Sequence, residues 1–479
     1  MKKKVFLVSA PSEDAEKFYK RKREHELKLF ANMKNINPEL YQLGIAYLGA
    51  VLEQKGHLVK FFDFFDIPFN VIERKFIRKV KKLKPDIVGF SLLTMNRISS
   101  FRLVKNIKAI NPNIKIILGG IHCSTLYEQI LLNFPVDAIC VGEGESIINE
   151  LVENIDDPKK LKKVKGIAFL DNKEVIVTHP AEPIKDLDSL PFPKHESFLT
   201  DKSDVAYIMS SRGCVSKCIF CSTQVYWRTW RSRNPKKVVD EIEYIKRKFP
   251  NIKHIWFYDD NFTLDNQRVI EICKELMRRK VKVTWSCGGR VHPISYEMLK
   301  YMKKAGCKLI TFGIESGSPR ILKGMKKFIT REQIIRAFKL LKNAKMNIGA
   351  LLIVGLPGEN DKTVNETIDM LKKVKFAAPG VAILEIYPNT ELYELAKQKG
   401  LLDDNYWLTE KRIPIYTCEH TPYELRKMAF KIVYESHKNK GILCLLSFAF
   451  KKIFFQHALT LGNIKNLLFP KKTDKAVGC

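Results

Sequence analysis

The sequence contains no hydrophobic run long enough to cross a bilayer. None of its apolar runs reaches the roughly 18 residues that predict a transmembrane helix. The basic amino terminus is followed by a short apolar stretch and by no site typical of signal-peptide cleavage, so it predicts a first strand. Low-complexity tracts, which would indicate disorder, are missing as well. These features predict a cytoplasmic globular protein.

Acidic residues are scarce relative to basic ones. The chain has 479 residues, with 83 Lys and Arg against 52 Asp and Glu, and a net charge of +31. Such a balance suits contact with nucleic acid, an anionic membrane or acidic substrates. The lysines are spread along the whole chain, however, which favours a lysine-rich composition over a dedicated basic surface. The length and the 45% hydrophobic content predict two or three domains with large cores.

Regularly spaced cysteine pairs are absent outside one segment. Most of the other cysteines fall in apolar patterns, so we expect reduced core residues. The eight cysteines outside that segment are Cys123, Cys140, Cys273, Cys287, Cys307, Cys418, Cys444 and Cys479.

The remaining three cysteines form a compact motif. Cys214, Cys218 and Cys221 have Cys-x3-Cys-x2-Cys spacing, on a loop that follows an apolar strand over 205–210. Three thiolates can each take one iron of a cubane cluster and leave the fourth iron open to a ligand. A structural zinc site is less favoured because it needs four ligands. A disulfide is less favoured because the number of cysteines is odd.

This motif resembles the cluster loop of radical S-adenosylmethionine (SAM) enzymes. The resemblance implies a 4Fe–4S cluster on the three cysteines, with the amino and carboxylate groups of SAM on the open iron. It also implies that an electron from the cluster cleaves SAM to methionine and a 5′-deoxyadenosyl radical. Phe220, the aromatic residue before the last cysteine, would lie near the adenine.

The sequence around and after the motif alternates between strand and helix patterns. Six such units predict a partial (β/α)6 TIM-like barrel over 205–400, whose site lies at the carboxyl ends of its strands. The predicted strands are 205–210, 254–258, 281–286, 308–313, 348–354 and 381–386.

Candidate SAM contacts close four of these strands. Tyr258, Asp259 and Asp260 resemble the family segment whose backbone receives the methionine amino group, although the two carboxylates equally predict a cap for the next helix. By the same resemblance, an arginine pairs the SAM carboxylate, a Gly-Ile-Glu-Ser-Gly segment contacts the ribose, and a Gly-Leu-Pro-Gly-Glu segment lies near the adenine. The residues concerned are Arg290, Glu315 with Ser316, and Gly355.

The first 165 residues predict a doubly wound, flavodoxin-like α/β domain. Five strand patterns alternate with helix patterns, and ligands of such sheets bind beyond the carboxyl ends of the strands. The loops there resemble those of cobalamin-binding domains that precede many radical SAM enzymes. The resemblance implies that they hold the nucleotide tail and the corrin edge, through Ser91, Leu93, Gly119, Gly120, His122, Gly142 and Glu143.

One feature of cobalamin domains is missing. The loop after the first strand contains no histidine, so the resemblance implies cobalt without a histidine ligand from that loop. The alternatives are a domain that has lost its ligand or serves only for docking. For His122 taken alone, a surface-loop histidine is as good an interpretation as a cofactor contact.

Two further regions complete the predicted organisation. Residues 166–204 predict a hairpin turning at Asp171-Asn172 and then a proline-rich linker. Residues 401–479 predict a small helical region. From Thr421 to Cys479 it has 11 Lys and Arg against 3 Asp and Glu. Apolar residues among these lysines suit either a helix on the inner face of a membrane or a helical cap over the barrel mouth.

We therefore predict a radical SAM enzyme with cobalamin as methyl carrier, which methylates an unactivated carbon or phosphorus centre of a small-molecule or lipid substrate. A flavodoxin or ferredoxin would reduce the cluster. The alternatives are a cobalamin-dependent oxidative cyclase, such as the anaerobic magnesium-protoporphyrin cyclase, and an RNA-binding enzyme such as a tRNA methylthiotransferase. The last is less favoured because the first domain lacks a second cysteine trio.

Overall fold

A computed structural model describes most of the chain. The described residues are 2–16, 41–227, 229–374, 376 and 379–438. The apolar and basic segment after residue 440, with its predicted membrane contact, therefore lies outside the described residues.

The first sheet contains the five parallel strands that the sequence predicts. Their order is β2-β1-β3-β4-β5, the doubly wound arrangement. Phe6 and Val8 of β1 pack into one apolar cluster and Val5 and Leu7 into another, so both faces are covered. This explains why the strands are continuous apolar runs. The strands are β1 Lys4–Ser9, β2 Leu58–Asp63, β3 Ile87–Ser91, β4 Lys115–Gly119 and β5 Ala138–Cys140.

Short helices connect these strands. Residues 124–132 predict one helix, and the structure has two, α4 Ile121–Thr125 and α5 Tyr127–Asn133. The hydroxyl of Thr125 donates to the carbonyls of Ile121 and His122, and such bonds compete with continuation of a helix. The helices are α1 Leu43–Gln54, α2 Phe69–Leu83, α3 Arg97–Ile110, α4 Ile121–Thr125, α5 Tyr127–Asn133, α6 Ile148–Asn154 and α7 Pro158–Leu161.

The predicted hairpin forms and extends this first sheet. Strands β6 Ile167–Asp171 and β7 Glu174–Val177 join the edge of β5 in antiparallel orientation. Asn172 and Lys173 both have positive φ, at 50° and 70°, as the turn of a tight hairpin requires. The hairpin, which we predicted as the start of the connecting segment, thus protects an otherwise open strand edge.

The rest of the connecting segment is bonded to both domains. His195 is fully buried. Its Nδ1 lies 2.6 Å from the hydroxyl of Tyr41, which precedes α1, and its Nε2 lies 2.8 Å from Glu241 of the barrel. Arg233 forms an ion pair with the other oxygen of Glu241. This buried series of hydrogen bonds and one ion pair holds the two domains against each other.

The second sheet is the predicted partial barrel. Six parallel strands lie in sequential order, and in the described residues no pairing joins the first to the last. The third strand starts three residues later than predicted, and the fourth extends to Glu315. The strands are β8 Val205–Ile208, β11 His254–Phe257, β12 Thr284–Gly289, β13 Cys307–Glu315, β14 Ile348–Val354 and β15 Gly380–Ile383, with a small ladder of β9 Ser211–Arg212 and β10 Arg231–Ser232 between the first two.

Helices follow the barrel strands, and most begin at residues that favour helix starts. Pro235 occupies the first turn of α9 behind a capping Asn234, and Thr330 with Gln333 forms a capping box at α13. The helices are α8 Thr223–Trp227, α9 Pro235–Lys248, α10 Asn266–Arg278, α11 Tyr296–Lys304, α12 Pro319–Gly324, α13 Arg331–Asn343, α14 Asp361–Lys373, α15 Glu391–Gln398 and α16 Pro422–Lys438.

The helical periodicity of residues 423–437 predicts a helix, and the structure has it as α16, which packs against α14 and β15. Its Leu425 lies beside Gly355 at the end of β14. No helix in the described part of the chain is long and apolar enough to cross a membrane.

Candidate active site at the domain interface

The cysteine loop leaves β8 and closes on itself through a short ladder. Arg212 pairs with Arg231, and Ser211 pairs with Ser232. Gly213, with φ of 86°, lies so close to the carbonyl of Thr229 that a Cβ would collide with it. The base of the loop is therefore a narrow antiparallel neck that requires glycine at its first turn.

None of the three cysteines of the loop forms a disulfide. Cys218 is buried, and Cys214 and Cys221 are half-buried. Burial raises the pKa of the Cys218 thiol to about 11, and the nearby ammonium of Lys327 opposes that rise. Among the described residues no three His, Cys, Asp or Glu converge on one ion position. A cubane cluster does not need such convergence, because each thiolate binds a separate iron.

The two carboxylates after β11 support this loop. Asp259 accepts hydrogen bonds from the amide and hydroxyl of Ser210, at 2.7 and 2.6 Å, and from the hydroxyl of Ser211. Asp260 accepts from the amide of Gly213 at 3.0 Å and from the hydroxyl of Thr223. The alternative that they cap the next helix is wrong, because Asp265 caps α10.

Tyr258, the residue before these two carboxylates, has a side chain that is 50% exposed. Its ring meets that of Tyr207 edge-on, with centroids 6.2 Å apart. It remains open to a ligand at the strand ends.

Arg290 and Glu315 both contact the turn that contains Lys327. The sequence did not identify this turn. Nη2 of Arg290 donates to the carbonyls of Lys327 and Phe328, at 2.9 and 3.3 Å. Glu315 has a φ of 58° and accepts from Nζ of Lys327 at 2.7 Å. The structure thus brings Lys327 into the candidate site, where the sequence offered no motif to identify it.

Ser316 is a buried structural contact. Its hydroxyl lies 3.2 Å from that of Thr367 in α14 and accepts from the amide of Ser318. It fixes the turn that carries Glu315, and the structure gives it no open face.

Gly355 follows the end of β14, and Phe220 lies on the cysteine loop between Cys218 and Cys221. The amide of Gly355 donates to Glu359 at 2.6 Å, and its φ is 91°. Phe220 packs partly buried against the barrel core. The amide of Leu392 donates to the carbonyl of Ile219, the residue before Phe220, at 2.9 Å.

In the first domain, the loops after β3 and β4 are closely joined. The amide of Leu93, two residues after Ser91, donates to Asn96, whose side chain in turn donates to the Ser91 carbonyl. Gly120, after Gly119, has φ of 113°, and a Cβ there would lie 2.8 Å from the Leu92 carbonyl. We expected this glycine to allow close approach of a ligand, but the close approach in the structure is that of the Leu92 backbone.

His122 is not a surface histidine. It is buried, its Nδ1 lies 3.1 Å from the hydroxyl of Thr94, and its Nε2 has no partner among the described residues. Burial and then the charge of Arg97 lower its pKa to about 3, so the ring is neutral. The interpretation as a surface-loop histidine is therefore wrong.

The loop after β5 contacts the cysteine loop directly. Glu143 pairs with Arg212 at 2.8 Å and Arg231 at 2.6 Å, and Glu145 pairs with Arg212 at 2.6 Å. The hydroxyl of Tyr226 donates to the Gly142 carbonyl at 2.7 Å. We call these five residues, Glu143, Glu145, Arg212, Tyr226 and Arg231, the interdomain clamp. It joins the two loops that the sequence assigned to two different cofactors.

The residues present fit those cofactors. Three cysteines outside any disulfide share one loop at the mouth of a partial barrel whose strand ends carry the predicted SAM segments. In the first domain, open space lies beside Gly142, and the buried Nε2 of His122 lacks a partner among the described residues. A doubly wound domain pressed against an iron–sulfur loop defines a radical enzyme with two cofactor-binding regions that face each other.

Comparison with known proteins identifies the family. The model of the radical SAM superfamily matches residues 208–371, and that of the B12 binding domain matches residues 31–152. An uncharacterized methyltransferase of Pyrococcus horikoshii is 31% identical over 438 residues, which are 89% of this chain and 93% of the relative. The chain belongs to the cobalamin-binding radical SAM enzymes, which use a 4Fe–4S cluster, SAM and cobalamin.

Two further proteins are similar to this chain. The anaerobic magnesium-protoporphyrin IX monomethyl ester cyclase of Rubrivivax gelatinosus is 33% identical over 365 residues, or 73% of this chain and 65% of that protein. The structure of the radical SAM methyltransferase TsrM from Kitasatospora setae has a TM-score of 0.67 at 18% identity. It covers 83% of this chain and 76% of that one, and it shows the shared fold.

Proposed function

We propose that this enzyme methylates a small-molecule substrate at an unactivated carbon or phosphorus centre. The interdomain clamp carries the proposal. Its ion pairs connect the cysteine loop, which would hold the cluster, to the loop that we predict at the edge of the corrin. When bound, the cluster supplies an electron for SAM cleavage and cobalamin serves as the methyl carrier. The similarity to the Pyrococcus horikoshii methyltransferase supports methyl transfer.

The chain's own residues would position these groups and exclude water. Cys214, Cys218 and Cys221 hold the cluster, and Asp259 and Asp260 fix the loop that carries them. The clamp residues Arg212 and Glu143 are nearly fully buried, so the contact between the domains is dry. A dry, fixed interface strengthens every electrostatic interaction within it.

Cofactor content tests the proposal first. After anaerobic reconstitution of the full chain we expect about four irons per chain and one bound corrinoid, measured by iron, sulfide and corrinoid analysis. Cys218→Ala should lose iron and SAM cleavage, whereas Cys273→Ala, which alters a buried cysteine outside the loop, should retain both. Full iron content without corrinoid affinity would exclude cobalamin-dependent methylation and leave radical chemistry.

Oxidative cyclisation is the second candidate, because the Rubrivivax cyclase is similar over 365 residues. Methyl-labelled SAM separates the two. Label in the product supports methylation, and an unlabelled, ring-closed product supports cyclisation.

The predicted partners remain proposals. A flavodoxin or ferredoxin would supply the electron, and a lipid substrate would suit a basic surface. The membrane contact depends on residues outside those described. Methylthio transfer to RNA also stays a hypothesis, and a labelled RNA product would be required to support it.

A further inference from the structure

Helix α2 of the first domain carries positive charge that is almost unopposed. Its inner side packs through Ile72, Phe76 and Val80. Its one acidic residue, Glu73, accepts a hydrogen bond from Asn106 of α3 at 2.7 Å. Seven exposed basic residues lie on the outer side and at the carboxyl end, and none of them forms an ion pair within the described residues. We call them the basic face: Arg74, Lys75, Arg78, Lys79, Lys81, Lys82 and Lys84.

Helix stability explains only part of this charge. Cations in the last turn interact favourably with the helix dipole, which accounts for Lys81 and Lys82. Arg74, Lys75 and Arg78 lie before the last turn, where the dipole gives cations no advantage. The basic face therefore holds more positive charge than the helix itself requires.

Basic residues on the barrel helices are balanced by carboxylates instead. Arg279, which follows α10, pairs with Asp240 and Glu243 of α9 at 2.6 and 2.8 Å. Lys372 of α14 pairs with Glu435 of α16 at 3.5 Å. The unpaired charge on α2 is thus a local feature and does not follow from the lysine-rich composition alone.

The basic face lies at one edge of the first sheet. Leu58, Lys60 and Phe62 alternate onto the same side of the edge strand β2, and the first two are exposed. Nζ of Lys79 lies 5.3 Å from the ring centroid of Phe62, so α2 covers that side of the strand. The loop of Glu143 follows β5, which three strands separate from β2. A partner could therefore contact α2 and Lys60 without disturbing the interdomain clamp.

An anionic lipid surface fits this face better than nucleic acid does. Clusters of four to eight basic residues on an amphipathic helix are typical of binding to acidic lipid headgroups. Single-stranded nucleic acid is bound by exposed aromatic rings, but Phe69 of α2 is half-buried and Phe76 is buried. Residues 441–470 are mostly apolar, with three lysines and no acidic residue. A bilayer can accept both the charge and such apolar residues, whereas nucleic acid offers partners for the charge alone.

We propose that the basic face of α2, together with Lys60, binds the surface of a membrane that contains anionic lipids. The headgroup phosphates supply the anions that these side chains lack within the described residues. The attachment is peripheral and sensitive to salt, because it depends on exposed charges. This surface is separate from the carboxyl-terminal region, whose apolar residues would provide a second attachment.

Vesicle flotation tests the proposal on the reconstituted full chain. It should bind vesicles of equal parts phosphatidylcholine and phosphatidylglycerol, be released by high salt, and not bind vesicles of phosphatidylcholine alone. The triple variant Lys75→Gln, Arg78→Gln, Lys82→Gln should lower the partition coefficient by about 100-fold, or about fivefold for each charge. Its thermal midpoint, and its SAM cleavage in solution with a chemical reductant, should be unchanged because all three residues are exposed.

The triple variant Arg336→Gln, Lys339→Gln, Lys342→Gln is the matched control. It removes the same charge from exposed positions of α13 in the barrel and should bind the mixed vesicles as the unaltered protein does. Equal weakening by both triple variants, or none by the α2 variant, would overturn the proposal. So would equal binding of the unaltered protein to both kinds of vesicle. Loss of duplex DNA binding in the α2 variant, with vesicle binding retained, would assign the basic face to nucleic acid instead.

Discussion

Glu359 shows how a single buried carboxyl can respond to pH. It is 4% exposed, its carboxylate accepts from the amide of Gly355, and its carbonyl lies 2.8 Å from Nε2 of His420. Burial raises its pKa from 4.5 to about 7, against the lowering effect of the backbone hydrogen bonds. The folded chain therefore retains a proton that the unfolded chain releases near pH 4.5.

The contribution of this proton to the free energy of unfolding is fully present below pH 4.5 and is lost as the pH rises towards 7. The loss amounts to about 3 kcal/mol at 1.36 kcal/mol per pKa unit. Glu359→Gln keeps a neutral side chain, so its thermal midpoint should rise relative to that of the unaltered protein between pH 5 and 7.5. Glu391→Gln, at an exposed site, is the control and should show no such trend. A difference in thermal midpoint between Glu359→Gln and the unaltered protein that stays constant across this pH range would contradict the prediction.

At the scale of elements, the interdomain clamp connects a loop of the first sheet to the neck of the cysteine loop. Its ion pairs are buried, and Arg212 also lies over the rings of Tyr47 and Trp227, at 5.3 and 5.2 Å. A buried ion pair is sensitive to the loss of one partner, because the other is left as an isolated charge.

Arg212→Gln should therefore destabilise the protein by about 3 to 5 kcal/mol, because Glu145 loses its cationic partner. Urea denaturation would measure this cost, and iron content after gel filtration would show whether the cysteine loop has loosened. Arg102→Gln is the matched control, because it breaks an exposed ion pair between the first domain and Glu410. That change should cost less than about 1 kcal/mol. Equal costs would show that the clamp is a surface feature.

At the scale of the whole molecule, the segment after the barrel returns to the first domain. Trp407 is 1% exposed and meets the ring of His122 edge-on, with centroids 5.7 Å apart. The guanidinium of Arg97 lies 5.3 Å from its ring. Arg97 also bonds the Lys411 carbonyl and pairs with Glu13 at 2.5 Å. The two domains are thus joined on a second side by a segment distant in sequence.

Trp407→Ala should cost about 3 to 5 kcal/mol, as expected for a buried aromatic residue. Hydrogen exchange should also accelerate in α4, which contains His122, because Trp407 no longer covers that helix. Tyr423→Ala, at a residue 40% exposed at the start of α16, should change exchange only locally. Unaltered protection of α4 in Trp407→Ala would show that the segment is not part of the domain contact.

Much of the fold follows from local patterns. The alternation of apolar strands with amphipathic helices predicted both sheets, because each pattern is repeated within a few residues. The cysteine spacing predicted the cluster loop for the same reason. The split of the helix over 124–132 was not predicted, since it depends on where hydroxyl groups of Ser124 and Thr125 find acceptors, including the carbonyl of Cys140.

The candidate site was predicted in outline and less well in its contacts. The segments at the strand ends were identified, but Glu143 was expected at the corrin edge, and the structure pairs it with two arginines of the cysteine loop. Its role towards cobalamin stays a prediction. Lys327 belonged to no motif, because the turn after α12 brings it back to Glu315, 12 positions earlier in the chain.

The sequence by itself determined the order of the strands and helices, the cysteine trio and the family, because each depends on residues that are near one another in the chain. Only the tertiary structure decided which charges meet. Arg212 and Glu143 are 69 positions apart, and Glu13 and Arg412 are nearly 400 apart. Such pairs are chosen by the packing of one domain on another, and no local pattern contains that information.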